Sequence, residues 1–104
     1  MELSGKKVTV VGTGISGIGA VGLLNAVGAE VVLYDGNEKL KIEDIEKKLG
    51  TYKAEIVLGE LTKELTDSSD LLVISPGVPI DSPVVKAFEA AGVPVGAYYY
   101  STAD

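Results

Sequence analysis

At 104 residues the chain is long enough for one domain and one core, not two. Its formal charge of −6 opposes general attraction to nucleic acid or anionic lipid. Cysteine and histidine are absent and all nine basic residues are lysine, which excludes disulfides, thiolate metal sites, imidazole acid–base chemistry and guanidinium clamps on phosphate.

Apolar runs alternate with helical spacing, so the expected fold class is α/β, a Rossmann-like open parallel sheet of five strands with helices on both faces. The first strand is expected over residues 7–11 and the first helix over residues 15–27, with Ile18, Val21, Leu24 and Val27 turned inward and Gly28 closing it at C′. Gly19 and Gly22 weaken that helix, and close approach to the sheet is the expected return. A second strand over 30–34 ends in Asp35-Gly36-Asn37. A charged helix follows over about 39–49, with Leu40, Ile42, Ile45 and Leu49 as its inner face and its charges solvated. The third strand is 55–58, a short helical piece lies near 61–65, and the fourth strand is 71–74. A loop over 75–81 leads to a helix capped by Ser82, with Pro83 in its first turn, running to residue 91. Residues 93–97 form the fifth strand. Right-handed crossovers give the strand order 3-2-1-4-5.

The element with most chemical content is Gly12-Thr13-Gly14-Ile15-Ser16-Gly17, between the first strand and first helix. A chain that leaves a buried strand, turns on glycines and enters a helix aims several N–H groups at one spot, at the positive end of the helix dipole. That spot suits a phosphate or diphosphate. Gly12 serves the tight turn, Gly14 lets a ligand approach the backbone and Gly17 lets the helix sit close to the strand. The competing account is a packing turn without a ligand. Ser16 either adds a hydroxyl to the amides or serves the first helical turn. Asp35 stands where dinucleotide-binding folds place an acid for ribose hydroxyls, and equally where an Asp-Gly-Asn turn bonds its own backbone.

The loop Ser75-Pro76-Gly77-Val78-Pro79 follows the fourth strand. Ligands of open α/β sheets sit outside the carboxyl ends of the strands, where the strand order switches. Here the switch falls between strands one and four, so this loop should face the glycine loop across one crevice. Tyr98, Tyr99 and Tyr100 read as a strand end or terminal segment rather than a stacking platform.

Taken together, residues 7–17, the Asp35 turn and above all Leu71-Leu72-Val73-Ile74-Ser75-Pro76-Gly77-Val78-Pro79, followed by Ala91-Gly92-Val93-Pro94-Val95, resemble the N-terminal domain of the Mur ligase family. The resemblance covers residues 5–97. It implies a ligase of peptidoglycan synthesis that adds D-glutamate to UDP-N-acetylmuramoyl-L-alanine. In such an enzyme this domain, 1–97, holds the UDP part of the substrate and is inactive alone. Residues 98–104 are then a tail or the start of a linker. By the resemblance, Gly14, Ile15, Ser16 and Gly17 bear on the diphosphate, Asp35, Gly36 and Asn37 border the uracil, and Ser75, Pro76 and Gly77 form the opposite wall. ATP and Mg2+ belong to a central domain with a Gly-Lys-Thr/Ser loop, and this chain has no such loop. No catalytic or metal-ligating residue is therefore expected within it. No apolar run nears the ~20 residues of a membrane span, and residues 1–7 do not form a signal peptide. A cytoplasmic monomer with no nucleic-acid or membrane partner is expected. The alternative is an NAD-binding module, sensor or dehydrogenase fragment, that sets Asp35 on the adenosine ribose. A third account keeps the fold without any ligand.

Overall fold

The structure, a computed structural model, describes residues 2–97. The elements run β1 (Lys7–Val11), α1 (Ile15–Ala26), β2 (Glu30–Asp35), α2 (Ile42–Leu49), β3 (Glu55–Leu58), α3 (Lys63–Ser68), β4 (Leu71–Ile74), α4 (Pro83–Ala90) and β5 (Val95–Ala97). All strand pairs are parallel, in the order β3-β2-β1-β4-β5. The expected α/β architecture and strand order are both present. The tyrosine run at 98–100 and the tail it opens lie outside the described residues.

Central strands of a parallel sheet are buried on both faces, so they read as unbroken apolar runs rather than alternating ones. Val8, Val10, Val31 and Leu33 point to one side, where they pack with Ala20, Val21 and Leu24 of α1 and Ile45 and Leu49 of α2. Val11, Val32 and Tyr34 point to the other, against Leu65 of α3 and Val85 and Phe88 of α4. Phe88 is fully buried and is the largest such side chain. One polar pair enters the core: Thr9 and Ser69 share a 2.7 Å hydrogen bond, and the Ser69 hydroxyl also donates to the Leu65 carbonyl at 2.8 Å. Thr9 thereby ties β1 to the end of α3 without leaving a hydroxyl unmet.

The departures from the expected elements sit at element ends, and those at α2, α3 and β5 have a local cause. The second helix begins at Ile42 rather than residue 39. The Asp35 carboxylate accepts the Asn37 N–H, the Asn37 side chain accepts the Lys39 N–H, and the Asn37 carbonyl accepts the Leu40 N–H. Three successive turns thus occupy the backbone, and Ile42 is left 46% exposed instead of facing inward. The third helix starts at Lys63 because the Thr62 hydroxyl caps it, accepting the Leu65 N–H at 3.3 Å. The fifth strand starts at Val95: the Val93 N–H is spent on the Phe88 carbonyl and Pro94 has no N–H to give.

The first helix ends one residue early, at Ala26. Gly28 stands at φ +81°, and the Ala29 N–H reaches back to the Leu24 carbonyl in a Schellman-type closure, as expected of a C′ glycine. Val27 is 44% exposed, not part of the inner face. Gly22 does answer to a close neighbour, though not to the sheet. A Cβ there would lie 2.6 Å from the ring of Tyr52, which follows α2. Ser82 occupies the N-cap of α4 with its hydroxyl buried, but makes no capping bond.

Candidate functional site

β1 and β4 are neighbours whose following connections leave in opposite directions. Their carboxyl ends therefore open a crevice between residues 12–14 and the loop after Ile74. Gly12 turns at φ +108°, in the left-handed region that glycine alone enters cheaply. A Cβ on it would stand 2.8 Å from the Ser75 hydroxyl, and that hydroxyl donates to the Val11 carbonyl at 3.4 Å. The two loops thus meet at Gly12 and Ser75, as the strand order requires.

Gly17 plays the packing role expected of it. A Cβ there would fall 1.9 Å from the Gly12 carbonyl oxygen, inside any van der Waals contact. The absence of a side chain is what lets the first turn of α1 lie on the end of β1. Gly14 is different. It is the N-cap of α1 at φ −78°, is exposed, and has nothing within 4 Å of where a Cβ would be. The first intrahelical bond runs from the Ile18 N–H to the Gly14 carbonyl. The N–H groups of Gly14, Ile15, Ser16 and Gly17 are accordingly left without a partner among the described residues. The Ser16 hydroxyl makes no bond to a described residue either, so nothing ties it to the first helical turn.

The Thr13 N–H is the exception. It donates to Asp35 Oδ2 at 3.3 Å, and the Thr13 hydroxyl donates to the same oxygen at 3.0 Å. With Asn37 on Oδ1 at 3.0 Å, the Asp35 carboxylate receives three protein donors. It fastens the tip of β2 to the glycine loop and closes its own Asp-Gly-Asn turn, which is the second of the two accounts of Asp35. Gly36 and Asn37 are exposed on that turn. Behind it, Tyr34 is buried and its hydroxyl donates to the Gly59 carbonyl at 2.5 Å. Burial pushes the Tyr34 pKa up from its ordinary value, and the negative charges of Asp35 and Glu60 push the same way.

On the far wall, Pro76 and Gly77 form the middle of a turn closed by the Val78 N–H on the Ser75 carbonyl at 2.9 Å. Both are exposed, and Gly77 does not use a positive φ. On the α1 side of the glycine loop, and lined by none of residues 75–79, lies a cleft of about 400 Å3 lined by Thr13, Gly14, Ile15, Ile18 and Lys48. All ten sequence-predicted site residues thus lie on three connections at the carboxyl end of the sheet. Sequence reasoning missed two neighbours. Thr13 was readable as the polar residue inside the glycine loop; Lys48, distant in the chain, gave no signal. A second hollow, of about 500 Å3, lies at the opposite end of β2 and β3. There the Asn25 side chain spans to the Lys53 backbone, donating at 2.9 Å and accepting at 2.6 Å.

Among the described residues no group of three His, Cys, Asp or Glu side chains could hold a metal ion, and no helix is long and apolar enough to cross a membrane.

Comparison with known proteins places this site in context. Among solved structures, shikimate dehydrogenase from Aquifex aeolicus superposes with a TM-score of 0.61 at 16% identity over 92% of this chain and 43% of its own, a likeness of fold alone. D-2-hydroxyisocaproate dehydrogenase gives a TM-score of 0.60 at 26% identity, over 93% of this chain and 28% of its own. The sequence likeness points elsewhere. A UDP-N-acetylmuramoylalanine--D-glutamate ligase of Lachnospira eligens is 62% identical over 91% of this chain, and one of Lachnoclostridium phytofermentans is 49% identical over 91%. The chain spans about a fifth of the length of each, 21% in both cases. The family described as Mur ligase MurD-like, N-terminal domain, matches residues 6–97. The chain belongs to that family, as an N-terminal domain of MurD-like Mur ligases.

Proposed function

We propose that this domain holds the UDP moiety of UDP-N-acetylmuramoyl-L-alanine for a ligase that adds D-glutamate to it. The observation that carries the reading is the row of unpartnered amides at Gly14, Ile15, Ser16 and Gly17, at a helix N-terminus that is open beside Gly14, within a family of such ligases. In this reading those amides take the diphosphate. Asp35, Gly36 and Asn37 border the uracil, and Ser75, Pro76 and Gly77 form the opposite wall. Residues 1–97 are the binding domain, and residues 98–104 lead towards the remainder of the parent enzyme.

ATP and magnesium find no fit among these residues. The glycine loop carries no Lys-Ser/Thr pair, and among the described residues no acidic cluster is available for a metal. Both are assigned to another part of the parent ligase, and no chemical step is derived through them. A cytoplasmic setting for the reaction is part of the same proposal.

The NAD alternative draws less support. An acid that serves a ribose diol presents its oxygens to the ligand, whereas Asp35 already receives Thr13 twice and Asn37 once. Titration of the chain with UDP-N-acetylmuramoyl-L-alanine, followed by calorimetry and amide chemical shifts, tests the reading. Weak binding centred on residues 14–17 and 75–77 is expected. Gly14→Val should abolish it with the fold retained. The absence of any shift at millimolar ligand overturns the proposal, and perturbation by NAD in preference to UDP ligands replaces it.

A further inference from the structure

We propose that Lys48 supplies the cation of the phosphate cradle, its ammonium reaching the ligand's diphosphate beside the amides of residues 14–17; this rests on the substrate reading above. Electrostatics create the need. The chain carries −6, so its overall field repels a diphosphate, and it has no arginine. A helix N-terminus contributes only about half a positive charge, which leaves much of the charge of a diphosphate unbalanced.

The structure places one candidate at the loop. Lys48 lines the same cleft as Thr13, Gly14, Ile15 and Ile18, and no carboxylate is among that lining. It stands on the last turn of α2, three residues after buried Ile45 and one before buried Leu49, where α2 packs beside α1. Helical spacing sets it on the flank next to the core rather than on the outward face. Two other lysines are already engaged: Lys63 pairs with Asp67 at 3.0 Å, and the Lys7 ammonium donates to the Ser68 hydroxyl at 2.8 Å. Lys48 makes no such bond to a described residue. Complementing the carbonyl end of α2 is a duty that the adjacent Lys47 shares, and Lys47 does not line the cleft. Lys48 is exposed where it lines the cleft with Ile15 and Ile18, so its charge is available without the cost of burial.

The test compares UDP binding by the 104-residue chain and two variants, Lys48→Met and Lys47→Met, across a series of salt concentrations. Methionine keeps most of the apolar stem and removes the charge. Lys48→Met should weaken UDP by about threefold to fivefold, the size of a partly exposed ion pair, and should flatten the salt dependence. Lys47→Met should bind as the unaltered chain does. Unchanged affinity and salt dependence in Lys48→Met overturn the inference while leaving the substrate reading intact. Equal losses in both lysine variants overturn it too, because they would report overall charge rather than position. If the unaltered chain fails to bind UDP at all, the substrate reading falls and this inference with it.

Discussion

Gly17→Ala isolates the contact that seats α1 on the sheet. The added methyl carbon would lie 1.9 Å from the Gly12 carbonyl oxygen and 2.8 Å from its carbonyl carbon. Ordinary contact begins near 3.4 Å, so either the helix start or the Gly12 turn must retreat by about 1.5 Å. Both partners are backbone, and neither can swing aside as a side chain would. Overpacking costs about 1–3 kcal/mol, and a backbone neighbour puts this case in the upper half of that range. Alanine's better helix propensity returns at most about 1 kcal/mol. The net loss is about 2 kcal/mol, a fall in Tm of about 8–16 °C for a domain of this size. Thermal unfolding followed by circular dichroism measures it. Gly22→Ala is the matched control in the same helix. Its methyl would meet the Tyr52 ring, a side chain 45% exposed and able to turn away, so its Tm should hold or rise. If Gly17→Ala melts within about 2 °C of the parent, or if the two variants melt alike, the account of Gly17 is wrong.

Two more outcomes follow from the β2 rim. Asp35→Asn retains an acceptor for Asn37 but removes the charged one for Thr13. A loss of about 1–2 kcal/mol in urea unfolding is expected, with faster amide exchange at Thr13; unaltered exchange there would contradict the latch. Tyr34 has a folded-state pKa above its unfolded value near 10. The stability that its neutral hydroxyl contributes is complete below about pH 10 and is lost as the pH rises through the folded pKa. Tyr34→Phe should cost about 1 kcal/mol at neutral pH through the lost bond to Gly59, and should unfold with a shallower alkaline slope. An identical alkaline slope in both proteins would refute it.

The strands were legible because burial on both faces leaves a signature that depends on few neighbours. β1, β3 and β4 fall on the residues expected, and the strand order follows from crossover handedness. Helix starts were less legible because side-chain bonds decide them. Whether Asn37 spends its oxygen on the Lys39 N–H, or Thr62 takes the Leu65 N–H, depends on rotamers that periodicity does not record. The three loops of the site could be placed because the topology brings them together. What could not be read was the allocation of donors. Asp35 had two plausible duties in the sequence, and only the position of Thr13 shows where its oxygens go. Lys48 looked like any solvated lysine, since its nearness to residues 13–18 comes from the packing of α2 beside α1.

The Ser75 bond to Val11 beside Gly12 and the fastening of Thr13 by Asp35 fix the rims of the site from within the chain. A guest entering between them finds rims already in place and has little ordering left to impose. Its arrival should therefore be a single fast kinetic phase, with differences among guests expressed in how quickly they leave.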